Sequence, residues 1–138
     1  MSNCCKPEPP SCCCGAQVLI FACSGASNVG QLTDLAARKI TQEGWARMGC
    51  LAAVAAHVPS TEEAARAAET LLVLDGCPFS CAKKTVEQAG VEHIHHLLLS
   101  NLGLLRGKAD VSTENIDRVV HAAKDMLAAH SGKATNEL

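Results

Sequence analysis

The chain has no tyrosine, one tryptophan and two phenylalanines, so aromatic residues fill only 2% of its 138 positions. That scarcity argues against base-stacking platforms for nucleic acid, and it leaves Leu, Val, Ile and Ala to build the core. Charge is also nearly absent as a net quantity: 12 basic and 14 acidic residues are mixed along the chain, for a net of −2. A nucleic-acid surface needs a clustered basic face, and none is present. No segment approaches the roughly 20 apolar residues that span a bilayer. The N-terminal stretch from Met1 to Pro10 lacks the apolar region of a signal peptide. A cytoplasmic protein with no nucleic-acid or membrane partner is expected.

Three further absences narrow the chemistry. The loop Gly25-Ala-Ser-Asn-Val-Gly30 has the glycine spacing of a phosphate cradle but lacks the Lys-Ser/Thr of a nucleotide P-loop. Cys23 ahead of that loop suggests a phosphatase nucleophile, yet Cys23 to Gln31 contains no arginine to hold a phosphate. The chain also has no Cys-x-x-Cys pair, which counts against a dithiol redox enzyme.

What the chain does have is cysteine. Nine in 138 residues is an odd count far above ordinary usage. In a reducing compartment such thiols are metal ligands or reactive groups rather than a disulfide framework. Five of them (Cys4, Cys5, Cys12, Cys13, Cys14) lie with three prolines in residues 1–16, which show no periodicity and read as a flexible tail. Adjacent thiols on a tether suit a soft metal ion.

Residues 17–130 read as one α/β domain, and residues 131–138 as a frayed end. Val18 to Ala22 is a buried-strand run ending at Cys23. Asn28 with Gln31 offers a capping box. A helix with Leu32, Leu35, Ala36 and Ile40 on one face follows and stops at Gly44. Cys50 to Ala56 is expected as a second strand, though alanine is a poor strand former. Ser60 with Glu63 opens a short helix. Leu71 to Leu74 is a third strand that turns at Asp75-Gly76. Cys77 then stands at an expected N-cap, with Pro78 first in a helix running to Ala89. Ile94 to Leu99 is a fourth strand. Ser112 or Thr113 caps a last helix, in which Ile116, Val119, Val120, Ala123 and Leu127 form an apolar stripe. His93, His95 and His96 read as the solvated start of a strand, and His57, His121 and His130 as surface residues. Strands alternating with helices predict a three-layer α/β fold. Its sheet is mostly parallel, about four-stranded, covered on both faces, and Rossmann-like or flavodoxin-like.

In such sheets ligands bind beyond the strand C-termini, at the point where strand order reverses. Cys23, Cys77 and Cys81 converge there on fold grounds, whereas Cys50 is left open. Four thiolates around zinc need Zn–S of about 2.3 Å and sulfurs roughly 3.8 Å apart. Cys77 and Cys81, one helical turn apart, meet that spacing.

Three stretches carry a family resemblance. Phe21-Ala-Cys-Ser-Gly-Ala-Ser-Asn-Val-Gly-Gln-Leu32, Met48-Gly-Cys-Leu-Ala52 and Leu74-Asp-Gly-Cys-Pro-Phe-Ser-Cys81, running on to Gly90, resemble the DGC-domain family of small prokaryotic proteins. The resemblance covers roughly Gln17 to Lys108. It implies zinc held by four cysteines, which here are Cys23, Cys50, Cys77 and Cys81, and it implies no established reaction. Two positions depart from the family pattern: Ala53-Val-Ala-Ala56 replaces a glycine-rich run, and Asn101 stands where an Asp is frequent.

Three functions follow as expectations. The first is a metal-binding protein, with zinc at the four thiolates. The second is a thiol redox enzyme or sensor, with Cys77 attacking and Cys81 or Cys23 resolving. The third is a soft-metal or metalloid handler that captures its ion with the tail.

Overall fold

The structure is a computed structural model and describes residues 18–131. The Cys-rich tail and residues 132–138 lie outside the described residues. Strands β1 (Val18–Ala22), β2 (Arg47–Met48), β3 (Thr70–Asp75) and β4 (His95–Leu98) form one sheet, ordered β2-β1-β3-β4 with every pair parallel. Helices α1 (Asn28–Gln42) and α5 (Thr113–Ser131) cover one face. The other face is covered by α2 (Leu51–Ala55), α3 (Pro59–Ala67) and α4 (Cys81–Gln88). The expected three-layer α/β architecture is the one observed.

Alternation along the two central strands explains the layering. Ile20, Ala22, Leu72 and Leu74 pack under α1 and α5, while Leu19, Phe21, Leu71 and Val73 pack under the other helices. All eight are essentially inaccessible to water. Side chains of this kind each contribute about 1.5–3 kcal/mol on burial, Ala less. A strand buried on both faces reads as an unbroken apolar run, which is why β1 and β3 are legible without a period.

Four local expectations are corrected. Cys50 to Ala56 is not a strand: β2 is only Arg47–Met48, Cys50 is the N-cap of α2, and the alanine-rich run is helical, as alanine prefers. Ser27, not Asn28, caps α1 by accepting from the Gly30 N–H at 3.2 Å. Asn28 instead donates to the Ala109 carbonyl at 2.7 Å and accepts from the Gly107 N–H at 2.8 Å, tying α1 to the loop before α5. Helix α3 starts one residue earlier than Ser60, with Val58 at the N-cap and Pro59 in the first turn. Helix α4 starts at Cys81 rather than Pro78, so Cys77 is not its cap; Ser80 is. Ser112 caps α5 as expected, accepting from the Asn115 N–H at 3.2 Å.

Candidate thiol site

The strand order places the switch point between β1 and β3, because the chain leaves β1 towards β2 on one side and β3 lies on the other. All four candidate cysteines flank this C-terminal edge. Cys23 follows β1 and its N–H donates to the Leu74 carbonyl. Cys50 lies two residues beyond β2, Cys77 two residues beyond β3, and Cys81 opens α4. All four are free thiols; Cys50 and Cys81 are exposed, Cys23 and Cys77 half-buried.

The Asp75-Gly76-Cys77 run has a physical reason at each step. Asp75 is 1% exposed. Its carboxylate accepts from Ala82 N–H at 2.9 Å and Lys83 N–H at 3.0 Å, which caps α4. His96 Nε2 lies 2.9 Å from Asp75 Oδ2, so the same carboxylate also holds β4. Gly76 lets the loop cross the start of α1: a Cβ there would sit 2.8 Å from the Val29 backbone. Cys77 then packs against the core under α1 and α5. The α4 N-terminus is therefore taken by Asp75 rather than by Cys77. Asp75 was read from sequence only as a turn residue, because its cap lies seven and eight residues ahead in the chain. His96 was read as solvated, yet it is this partner.

Cys23 and Cys50 meet in one open cleft of about 590 Å³. Apolar residues including Met48, Leu51 and Ala55 line it, together with Asp34 and Arg38 of α1. Thr85 of α4 also lines it, and Cys81 lies one turn earlier on the same face of that helix. The Cys23 sulfur is 3.3 Å from Thr33 Oγ1. Thr33 is fully buried and donates its only hydroxyl hydrogen to the Gly30 carbonyl at 2.7 Å. Its lone pairs therefore accept from the Cys23 thiol and from the Ser24 N–H. Ser24 and Gly30 N–H groups are both occupied, which counts against a phosphate cradle in this loop. Two residues beside site cysteines, Ser24 (φ 47°) and Ser80 (φ 50°), hold the left-handed conformation that non-glycine residues rarely adopt.

Arg38 is the residue that sequence reading missed. It lies fifteen residues from Cys23, beyond the loop that ends at Gln31, and only helix α1 brings it back to the cleft. Its Nε donates to Asp34 Oδ2 at 2.7 Å, and Ser24 Oγ donates to Asp34 Oδ1 at 2.9 Å. The Arg38 guanidinium, followed by the Ser24 hydroxyl, holds the Asp34 carboxyl below its ordinary range against the opposing effect of burial.

The fit to zinc is poor as the side chains stand. Among the described residues, no group of three or more His, Cys, Asp or Glu side chains is placed to hold a metal ion. Cys77 packs into the layer under α1 and α5, while Cys23 packs on the opposite side of the sheet.

The DGC-domain model matches residues 19–123, which span every strand and the thiol edge. The chain belongs to the DGC-domain family. A curated relative, the "Anaerobic and virulence modulator AnvM" of Pseudomonas aeruginosa, is 41% identical over 86 residues. That match covers 62% of this chain and 66% of the relative, just under two thirds of its length. No solved structure matches the chain. This DGC-domain chain has no helix among its described residues long and apolar enough to cross a membrane.

Proposed function

We propose that this DGC-domain protein is a cytoplasmic regulatory protein working through reversible chemistry of Cys23, Cys50, Cys77 and Cys81. The observation that carries the reading is the placing of four free thiols along one sheet edge, two of them in the same open cleft. The relative's name, an anaerobic and virulence modulator, supports a role that changes with oxygen supply. Thiols answer such a change because their oxidation to disulfides is reversible. The expected reactive pair differs from a Cys77-led one: Cys77 stands outside the α4 cap, whereas Cys50 is exposed and shares its cleft with Cys23. Mild peroxide treatment of the reduced protein, followed by alkylation and peptide mapping, should find disulfides among the four. If all four remain alkylatable while a model thiol is consumed, the reading is wrong.

A second reading gives the same four thiolates to zinc, the donor type zinc prefers. Its support is their shared sheet edge together with the family resemblance. It requires the loop from Cys77 to Ser80 to carry its thiol across to the cleft side. Elemental analysis of protein purified without added metal tests it: about one equivalent of zinc supports the site, and less than about a tenth with all thiols reactive removes it. Repeating the measurement without residues 1–15 asks whether the tail thiols feed that site with a soft metal ion.

A further inference from the structure

The cleft holds more than two thiols. Its lining also includes a guanidinium, Arg38, and apolar side chains. Arg38 is fixed through Nε by its bond to Asp34, one helical turn back. Its terminal nitrogens have no hydrogen bond among the described residues, so they are left to a ligand. Guanidinium groups take carboxylates in a two-pronged contact. A cavity of about 590 Å³ has room for a small molecule rather than a polymer.

The thiols differ in availability. The Cys50 thiol is exposed and has no hydrogen bond among the described residues. Cys23 is half-buried and sits against Thr33. The strand register brings their backbones close, and both residues line the cleft: Ile20 pairs with Met48, and the Gly49 N–H donates to the Ile20 carbonyl at 2.9 Å. Cys50 is therefore level with Ala22, one residue short of Cys23. Parallel strands about 4.8 Å apart, rising about 3.3 Å per residue, set these Cα atoms about 6 Å apart, within the disulfide range.

We propose that this cleft binds the disulfide form of a low-molecular-weight thiol bearing a carboxylate and exchanges with it through Cys50 and Cys23. The inference rests on the thiol reading above and names its substrate class. Arg38 takes the carboxylate and the apolar lining takes the carbon chain. The Cys50 thiolate attacks one ligand sulfur, forming a mixed disulfide and expelling one ligand thiolate. Cys23 then loses its proton to solvent and attacks the Cys50 sulfur. That closes a Cys23–Cys50 disulfide and releases the second ligand thiolate. Two electrons pass from the protein thiols to the ligand disulfide, and the two ligand thiolates take up the two protons released. The state of the cleft thereby reports the oxidation state of the small-thiol pool.

The test uses the full-length reduced chain with two probes, glutathione disulfide, which carries carboxylates, and bis(2-hydroxyethyl) disulfide, which is neutral. Products are trapped by alkylation and mapped by mass spectrometry, which separates the cleft cysteines from the tail. Glutathione disulfide should yield the Cys23–Cys50 disulfide, and Cys23→Ser should leave glutathione on Cys50. Arg38→Gln should slow the glutathione reaction about fivefold, the worth of one solvent-exposed ion pair, and leave the neutral probe within about twofold. Equal effects on both probes, or none on either, overturn the carboxylate site but leave thiol chemistry standing. If neither probe modifies Cys50 faster than a free exposed thiol, the thiol reading fails as well.

Discussion

His96 Nε2 lies 2.9 Å from Asp75 Oδ2, and that carboxylate also takes the N–H groups of Ala82 and Lys83. One buried side chain thus ties β3, β4 and the first turn of α4 together directly beneath the loop that carries Cys77. Removing it leaves two helix N–H groups without their cap in a water-poor setting. Asp75→Ala should cost about 1–3 kcal/mol in urea unfolding. His96→Ala, which leaves both backbone bonds in place, should cost less. Equal losses would mean that the imidazole, rather than the cap, is the important partner.

Gly76 stands where a Cβ would approach the Val29 backbone to 2.8 Å, whereas a Cβ at Gly25 meets nothing within 4 Å. Both lie in site loops. Gly76→Ala should destabilise by about 1–3 kcal/mol, because backbone cannot yield as a side chain can. Gly25→Ala should be close to neutral. Paired denaturant curves for the two variants check the contrast.

The order of alkylation follows from exposure and from Thr33. Cys50 and Cys81 are exposed and should react first with iodoacetamide, ahead of the half-buried Cys23 and Cys77. Thr33→Val removes the oxygen beside the Cys23 sulfur and the bond to the Gly30 carbonyl. It should speed Cys23 labelling specifically and lower stability by about 1–2 kcal/mol. A peptide-resolved time course distinguishes this from general loosening, which would speed Cys77 too.

His95 gives the fold a pH dependence on its acid side. Burial, then the charge of His130, whose tilted ring lies with its centroid 3.6 Å away, then that of His93, together lower its pKa from 6.5. The unfolded chain therefore binds a proton here more readily than the native one. Stability should fall as pH drops from about 6.5 through the lowered native value, and level off below it. His95→Gln should flatten that part of a melting-temperature profile relative to the parent protein. A parent profile already flat between pH 7 and 5 would contradict it.

Legibility tracked how far apart in the chain the deciding partners are. Val18–Ala22 and Leu71–Leu74 were legible because burial on both faces demands an unbroken apolar run. Cys50 to Ala56 was misread as a strand because the alternation of sheet and helix was imposed on a run whose alanines prefer helix. The start of α4 was misplaced because Pro78 is a good first helical residue, and only Asp75, reaching forward from the strand, moves the helix start to Cys81.

The amino-acid sequence by itself determined the α/β class, the two central strands and the placing of Cys23 and Cys77 just past their ends, since these depend on local patterning and on chain order. Tertiary structure alone decided which of those thiols share a cleft. Cys77 and Cys81 are the closer pair in sequence, yet Cys23 and Cys50, 27 residues apart, open into the same space. The reason is that β1 and β2 are parallel neighbours. Their ends sit one strand spacing apart, while the Asp75 cap and the Gly76 crossing turn Cys77 towards the opposite layer. Arg38 reaches that space for the same reason, carried back by the crossover helix that makes the strands parallel.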